Sequence, residues 1–388
     1  MKGFKEQLQN NILPFWIDKM TDNKNGGFYG QIDGHNNLHP EANKGAVLNA
    51  RILWTFSAAY RILGNAEYLS TAQRAYRYIK EYFVDKEYGG VYWELDCNGK
   101  PVNTKKQVYA QGFVIYGLSE YYRITQDKEA LQLAQSLFYL LEKHKDVKNG
   151  GYFEAFTREW QPIEDMRLSE KDANEKKSMN THLHVLEPYT NLLRVWNSSD
   201  LKDAQKKLID IFTTKILDSK NYHQHLFFDE EWEIKSTAIS YGHDIEAAWL
   251  LYEAAEVLNN EDIIQKISTI ALKIADAASE GLQADGSMIY EKDGTHTDTD
   301  RHWWVQAEGI VGYMYTYKIS QNEQYKQNAE KLWSYIQQNI IDRTNGEWVW
   351  SCNSEGTVNM VDDKAGFWKC PYHNSRMCLE MIENFNLI

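Results

Sequence analysis

The sequence predicts an all-α fold, an (α/α)6 barrel of twelve helices in six pairs with short β-hairpins in the connecting loops. Three observations carry this expectation. A glycine–aromatic turn returns about every 60 residues along the 388-residue chain. Twelve segments space their apolar residues at helical period. These segments alternate between amphipathic and apolar on most faces.

The turn is clearest at Gly26-Gly27-Phe28-Tyr29-Gly30, Gly89-Gly90-Val91-Tyr92-Trp93 and Gly150-Gly151-Tyr152-Phe153-Glu154. Weaker forms stand at His225-Leu226-Phe227-Phe228, Asp285-Gly286-Ser287-Met288-Ile289-Tyr290 and Asn345-Gly346-Glu347-Trp348-Val349-Trp350. The glycines supply positive φ for a tight turn, and the alternating aromatics read as a short strand.

In chain order, helices are expected near 2–20, 44–63, 65–84, 104–125, 127–145, 178–197, 200–218, 241–258, 261–280, 302–319, 321–341 and 372–386. The segments 65–84, 127–145 and 321–341 gather Lys, Glu and Gln on one face and belong outside. The segments 44–63, 104–125 and 302–319 are enclosed, as Ala46-Val47-Leu48 and Gly309-Ile310-Val311-Gly312 illustrate. Six inner–outer pairs close a ring, with the first and last helices as one pair. An α-solenoid is the alternative, but polar capping repeats are missing. No Pro/Ser/Gly-rich linker divides the chain, so residues 1–388 are expected to form a single domain.

Composition narrows the function classes. Net charge is −13 and no basic stripe exists, which argues against nucleic acid or an anionic membrane as partner. The pair Lys176-Lys177 reads as part of a solvated face. A mean hydropathy of −0.61 fits a soluble protein, and no apolar run approaches the roughly 20 residues of a membrane span. Cys97, Cys352, Cys370 and Cys378 form no C-x-x-C pair and no secretory signal is seen, so a cytoplasmic, reducing setting is expected. The 25 Tyr and 13 Trp suit sugar recognition, where ring faces stack on C–H patches.

Unusual polar residues gather where the inner helices begin. Arg51 and Tyr109 lie on 44–63 and 104–125, Asn180 and His184 open 178–197, and His243 and Glu246 open 241–258. His302, Trp304 and Glu308 open 302–319, and His373 opens 372–386. Parallel inner helices bring all of these to one end of the barrel.

Within Tyr241-Gly242-His243-Asp244-Ile245-Glu246, His243 and Glu246 share a helix face, so a carboxylate stands where it can fix the imidazole tautomer. The alternative is that Asp244 caps the helix while His243 only packs. In Trp368-Lys369-Cys370-Pro371-Tyr372-His373-Asn374, the histidine follows a proline suited to a helix start, and Trp368 is a sugar platform. The alternatives there are an aromatic-packed turn or Lys369 as a catalytic amine. His182 and His184 face different ways on a helix, and His223-x-His225 lacks an acidic complement, so no metal site is expected. Phosphate-binding glycine motifs are absent, so no nucleotide cofactor is expected. Glu246 and Glu308 leave a glycoside hydrolase open, a reaction that needs two carboxyls at roughly 5–9.5 Å.

These segments, with Asn25-Gly26-Gly27-Phe28-Tyr29-Gly30, Ala50-Arg51-Ile52-Leu53-Trp54, Met179-Asn180-Thr181-His182-Leu183-His184-Val185-Leu186-Glu187 and Trp303-Trp304-Val305-Gln306-Ala307-Glu308, resemble the N-acylglucosamine 2-epimerase superfamily over nearly the whole chain. The resemblance is strongest to its cellobiose 2-epimerase branch. It implies an (α/α)6 barrel without redox cofactor, acting on an oligosaccharide; separately, a monomer is expected. It further implies His243 and His373 as acid/base catalysts, His184 as a supporting histidine, and Arg51 on the sugar oxygens near C1 and C2. Tyr109, Asn180, Glu246, Trp304 and Trp368 would complete the pocket, with Asp172 and Glu308 as further contacts. The reaction implied is ring opening, C2 deprotonation to a cis-enediolate and reprotonation on the other face. Epimerisation of an N-acylglucosamine and aldose–ketose isomerisation of a mannose-type sugar are the alternatives in the same superfamily.

Overall fold

A computed structural model describes residues 1–387. Its helices follow the twelve expected segments. They are α1 (4–20), α2 (Ala46–Leu63), α3 (66–83), α4 (Val108–Thr125), α5 (Lys128–His144), α6 (Met179–Leu193), α7 (199–216), α8 (Tyr241–Leu258), α9 (Glu261–Ala278), α10 (Trp303–Ser320), α11 (323–340) and α12 (His373–Phe385). The four outer helices α1, α3, α7 and α11 each contain one π-helical segment of five residues, which apolar periodicity does not reveal. The inner helices α2, α4, α6, α8, α10 and α12 contact one another in that order, and α12 returns to α2. Each outer helix packs on an inner one, with α1 against α12. The ring is an (α/α)6 barrel. No described helix is long and apolar enough to cross a membrane.

Inner and outer helices begin differently. The outer helices α3, α5, α7, α9 and α11 carry side-chain caps from Asn65, Asp127, Ser198, Asn260 and Asn322. The inner helices other than α12 begin where a two-residue strand ends, and of these only α6 adds a side-chain cap, from Ser178. Their first amides donate to the next repeat: Ala46 to Trp93, Val108 to Glu154, Met179 to Leu226 and Trp303 to Trp350. The glycine–aromatic turn therefore holds the start of the neighbouring inner helix. This explains why 104–107 is extended rather than helical.

A buried ion pair repeats just before these helices. Lys44 meets Asp22 at 2.7 Å, Lys106 meets Asp85 at 2.8 Å and Lys177 meets Asp146 at 2.7 Å. Each lysine sits two residues before an inner helix, and each aspartate heads the preceding glycine turn. Lys177 is thus buried, not part of a solvated face; its neighbour Lys176 gave the pair a misleading surface character. A second device lies at the fourth residue of the inner helices. Gln111, His182, Asp244 and Gln306 accept from the turn amides of Val91, Tyr152, Gln224 and Met288. His182 and Asp244 are thereby structural. Asp244 holds a neighbouring turn and His223, at 2.7 Å, rather than capping its own helix.

The inner helices run parallel, because their first turns meet at one end and their last turns at the other. The far end holds a polar cavity of about 510 Å³. It is crossed by the pairs Arg61–Glu120 at 2.6 Å and Arg194–Glu253 at 2.6 Å, which set cations near helix C-termini.

Removing one member of a buried pair strands its partner charge, at a cost of about 3–5 kcal/mol. Lys177→Ala is expected to lower the unfolding free energy by about that amount, read from the urea midpoint. A change below about 1 kcal/mol would show that Asp146 is satisfied by its turn amides alone.

Candidate active site

Four of the polar residues singled out in the sequence occupy equivalent places. Arg51, His184, Glu246 and Glu308 are each the sixth residue of their inner helix. Tyr109, Asn180 and Trp304 are second residues, His243 is a third and His373 a first. They converge at the N-terminal mouth of the barrel.

Local sequence explains several placements. Pro188 in α6 has no N–H to offer the carbonyl of His184, and the backbone kinks there (φ −89°, ψ 15°). Gly112 of α4 makes room for that carbonyl, since a Cβ would stand 2.4 Å from it. Gly242 admits the Trp304 ring, which a Cβ would approach to 2.7 Å. Trp304 in turn lies 4.7 Å from the His243 ring and 5.6 Å from the His373 ring, centroid to centroid.

Each of the three histidines has its Nδ1 engaged. His184 Nδ1 is 3.0 Å from Glu187, His373 Nδ1 is 2.7 Å from Glu308, and His243 Nδ1 is 2.7 Å from the Ser240 hydroxyl. Their Nε2 atoms have no hydrogen-bond partner among the described residues. The carboxylate that spacing offers to His243 goes elsewhere: Glu246 accepts from Arg376 at 2.6 Å.

Arg376 fills the floor of the site. Its guanidinium donates to Glu246 and Glu308 at 2.6 Å each, and to Glu187 and the Tyr372 hydroxyl. Glu308 also accepts from Trp249 at 3.0 Å. Arg376 and Glu187 are fully buried and were not picked out as site residues. The available signals were the i, i+3 spacings His184–Glu187 and His373–Arg376. Ser240 was also missed; nothing marks one serine before a helix as a histidine partner.

Arg51 forms the opposite wall. It donates to the Tyr109 hydroxyl at 2.9 Å, and its guanidinium carbon lies 4.1 Å from the centre of the Phe113 ring and 4.5 Å from that of Tyr372. Its Nε is buried without a partner. Trp368 stands beside it, with its ring 6.0 Å from Tyr109 and 5.9 Å from Trp93. Asn180 keeps a buried, unpartnered Oδ1. Asp172 is outside this cluster. It accepts from the Ser169 amide and hydroxyl in the loop before α6. Lys369 is buried against Glu347 at 2.9 Å, which disposes of the free-amine alternative. His302 stacks on Tyr290 at 4.1 Å.

Burial pushes His243 down to about 3, helped by nearby His184. Burial, with Arg51 and Arg376 near, holds His373 well below the usual imidazole value. Burial also lowers His184, against the pull of Glu187. All three imidazoles are therefore neutral near pH 7. Burial opposes ionisation of Glu187, but Arg376 and His184 outweigh it and hold the carboxyl at about 2. Burial and the adjacent Glu308 drive Glu246 well up.

Glu246, Glu308 and His373 present ligand-type atoms within 4.8 Å of one another, a grouping of the kind that can hold a cation. Its carboxylates already share the Arg376 guanidinium. The same fact weighs against a glycosidase pair, because both carboxyls are buried under one arginine rather than placed to flank a bond.

The family model of N-acylglucosamine 2-epimerase (GlcNAc 2-epimerase) matches residues 27–376. A cellobiose 2-epimerase from Bacteroides fragilis is 55% identical, covering 97% of both chains. One from Dictyoglomus turgidum is 41% identical over the same shares. The solved structure of cellobiose 2-epimerase from Bacillus thermoamylovorans superposes with a TM-score of 0.95 at 42% identity, covering 98% of each chain. With the barrel and the histidine-lined mouth described above, these matches establish that the chain belongs to the N-acylglucosamine 2-epimerase family.

Proposed function

We propose that the protein is an isomerase that inverts carbon 2 of the reducing-end glucose in β-1,4-linked disaccharides, turning cellobiose into glucosyl-mannose and lactose into epilactose. The observation that carries this is the set of three neutral imidazoles with engaged Nδ1 and free Nε2 at one mouth. A neutral imidazole with a defined tautomer is the form a general base requires. The named activity of the Bacteroides fragilis and Bacillus thermoamylovorans relatives supports the same reading.

The sugar ring opens first, because only the aldehyde makes the C2 proton acidic. One histidine removes that proton through Nε2 and leaves a cis-enediolate. Another, which has taken a proton from solvent at Nε2 and become imidazolium, delivers it to C2 from the opposite face, while the first keeps the abstracted proton until it is lost to solvent. His243 and His373 fill these two roles, each worth roughly 10²–10⁴-fold in rate. His184 supports them from the wall. The Arg51 guanidinium, held between the Phe113 and Tyr372 rings, supplies fixed positive charge beside the developing oxyanion, the kind of preorganised charge that often dominates such steps. Tyr109 holds Arg51 in place. The four unpaired cysteines suit a cytoplasmic setting.

The test is incubation with cellobiose in D₂O followed by NMR. Deuterium at C2 and a mannose-type product are expected; glucose release would replace this reading with hydrolysis. His243→Ala and His373→Ala should each lower kcat by roughly two decades or more with the helical signal intact.

The pH profile follows from the depressed histidines. A base with a lowered value stays unprotonated until pH falls through that value, so activity is retained below the ordinary histidine midpoint of about 6.5. The acid limb of kcat/KM is expected clearly below that midpoint. A limb at about 6.5 would show an ordinary, solvated imidazole as the base.

Substrate length provides a separate check. Trp304 touches both histidine rings, whereas Trp368 lies on the Arg51–Tyr109 side. This division fits a reducing-end subsite and an outer subsite. Disaccharides should exceed glucose and N-acetylglucosamine in kcat/KM, and Trp368→Ala should remove most of that advantage. Equal losses on mono- and disaccharide would place Trp368 at the reducing end.

A further inference from the structure

Among the site histidines, His243 has an unusual partner. Nδ1 of His184 and of His373 meets a carboxylate, but Nδ1 of His243 meets the hydroxyl of Ser240 at 2.7 Å. The acidic residues close to His243 in sequence are committed elsewhere. Asp244 turns outward to His223 and the Gln224 amide, and Glu246 turns inward to Arg376. The titratable groups facing His243 from neighbouring helices are His184 of α6 and Glu308 of α10, and each of those is paired with another group.

Ser240 is held independently of the histidine. It ends the strand Ile239–Ser240, which pairs antiparallel with 291–292, Ser240 opposite Glu291. Strand Glu291–Asp293 is braced in turn by His296–Asp298. Its Oγ has no second hydrogen-bond partner among the described residues. With no second partner the hydroxyl can accept from Nδ1–H or donate to a bare Nδ1, and only the accepting arrangement leaves Nε2 unprotonated.

We infer that Ser240 is a positioning residue for the reaction, which fixes His243 as the Nδ1–H tautomer and so keeps the Nε2 lone pair directed to the pocket. A neutral acceptor suits this task. It orients the ring as a carboxylate would, without adding a negative charge that would stabilise the imidazolium and hold its proton after transfer from C2. When His243 takes a proton at Nε2, Nδ1–H stays on Ser240 Oγ throughout, so the same contact serves proton capture and return. An unconstrained histidine side chain prefers the opposite tautomer, with the proton on Nε2, so loss of the hydroxyl leaves a ring that is present but wrongly protonated.

This inference rests on the reading above that His243 moves the C2 proton. Hydrogen-bond partners that orient metal-ligating imidazoles contribute roughly 10–100-fold, and an effect of that order is expected for Ser240. Ser240→Ala is expected to lower kcat by about tenfold or more with KM within about twofold, while Ser240→Thr recovers most of the loss. Nitrogen-15 NMR of histidine-labelled protein, with His243 signals assigned by their loss in His243→Gln, should show Nδ1–H in the wild type. It should show a shift toward Nε2–H in Ser240→Ala. Nε2–H in the wild-type resting enzyme overturns the proposal. So does an unchanged kcat in Ser240→Ala, or a loss that Thr does not recover and that tracks a lowered Tm. The nitrogen spectrum needs no sugar. A wild type that shows Nδ1–H but does not epimerise cellobiose would sink the reading of the reaction and support the tautomer assignment.

Discussion

The site is built around one fully buried guanidinium. Arg376 of α12 joins Glu187 of α6, Glu246 of α8 and Glu308 of α10. Four of the six inner helices are tied at that point. A buried charge needs counter-charges to be tolerated, and two of these carboxylates in turn hold a histidine of the site. Glu187 holds His184, and Glu308 holds His373. The arginine therefore sets the height and rotation of the helices that carry the imidazoles. Deleting it would leave three carboxyls without a counter-ion in the dry centre of the barrel. A change in charge state would then reach both histidines together.

This network separates two chemistries that one barrel can host. Fold alone does not decide function. A glycosidase keeps a carboxylic acid and a carboxylate exposed on either side of a bond, and needs room between them. Here Glu246 and Glu308 lie beneath the pocket and bond the same nitrogen of Arg376. Among the described residues the three histidine Nε2 nitrogens have no hydrogen-bond partner, whereas the unpartnered Glu246 Oε2 and Arg376 Nε are shielded beneath them. That inventory suits moving a proton beside a carbonyl and stabilising the oxyanion that results.

Much of this was legible in the chain. The repeat of glycine turns and the alternation of helix character led to the barrel, because both are local patterns with a fixed period. His184, His243 and His373, with Arg51, Tyr109 and Trp304, stand out in the chain as unusual residues at the starts of apolar helices, and the structure brings them to one mouth. What stayed hidden depends on contacts between distant parts of the chain. Arg376 pairs with Glu187 and Glu246 across 189 and 130 positions. Lys177 looked like surface because its neighbour is another lysine, and only Asp146, 31 positions back, makes it interior. The partner of His243 was sought at Glu246 by helix spacing, but spacing cannot say which of two nearby groups a third one claims. Arg376 claims Glu246, and that leaves the imidazole to Ser240.

The two ends of the barrel show why the site sits where it does. At the far end, Arg61 and Arg194 stand near helix C-termini, where cations are favoured, and carboxylates pair them off. At the near end the positive ends of the inner helices disfavour protonated histidine, as do Arg51 and Arg376. Burial acts in the same direction. An imidazole placed there is neutral at physiological pH without any catalytic partner being present. The surrounding frame of buried lysine–aspartate pairs and turn-holding fourth residues is spent on keeping those helix starts level. The chemistry then needs only the first one or two turns of each helix, which leaves the loops above free to set which sugar is admitted.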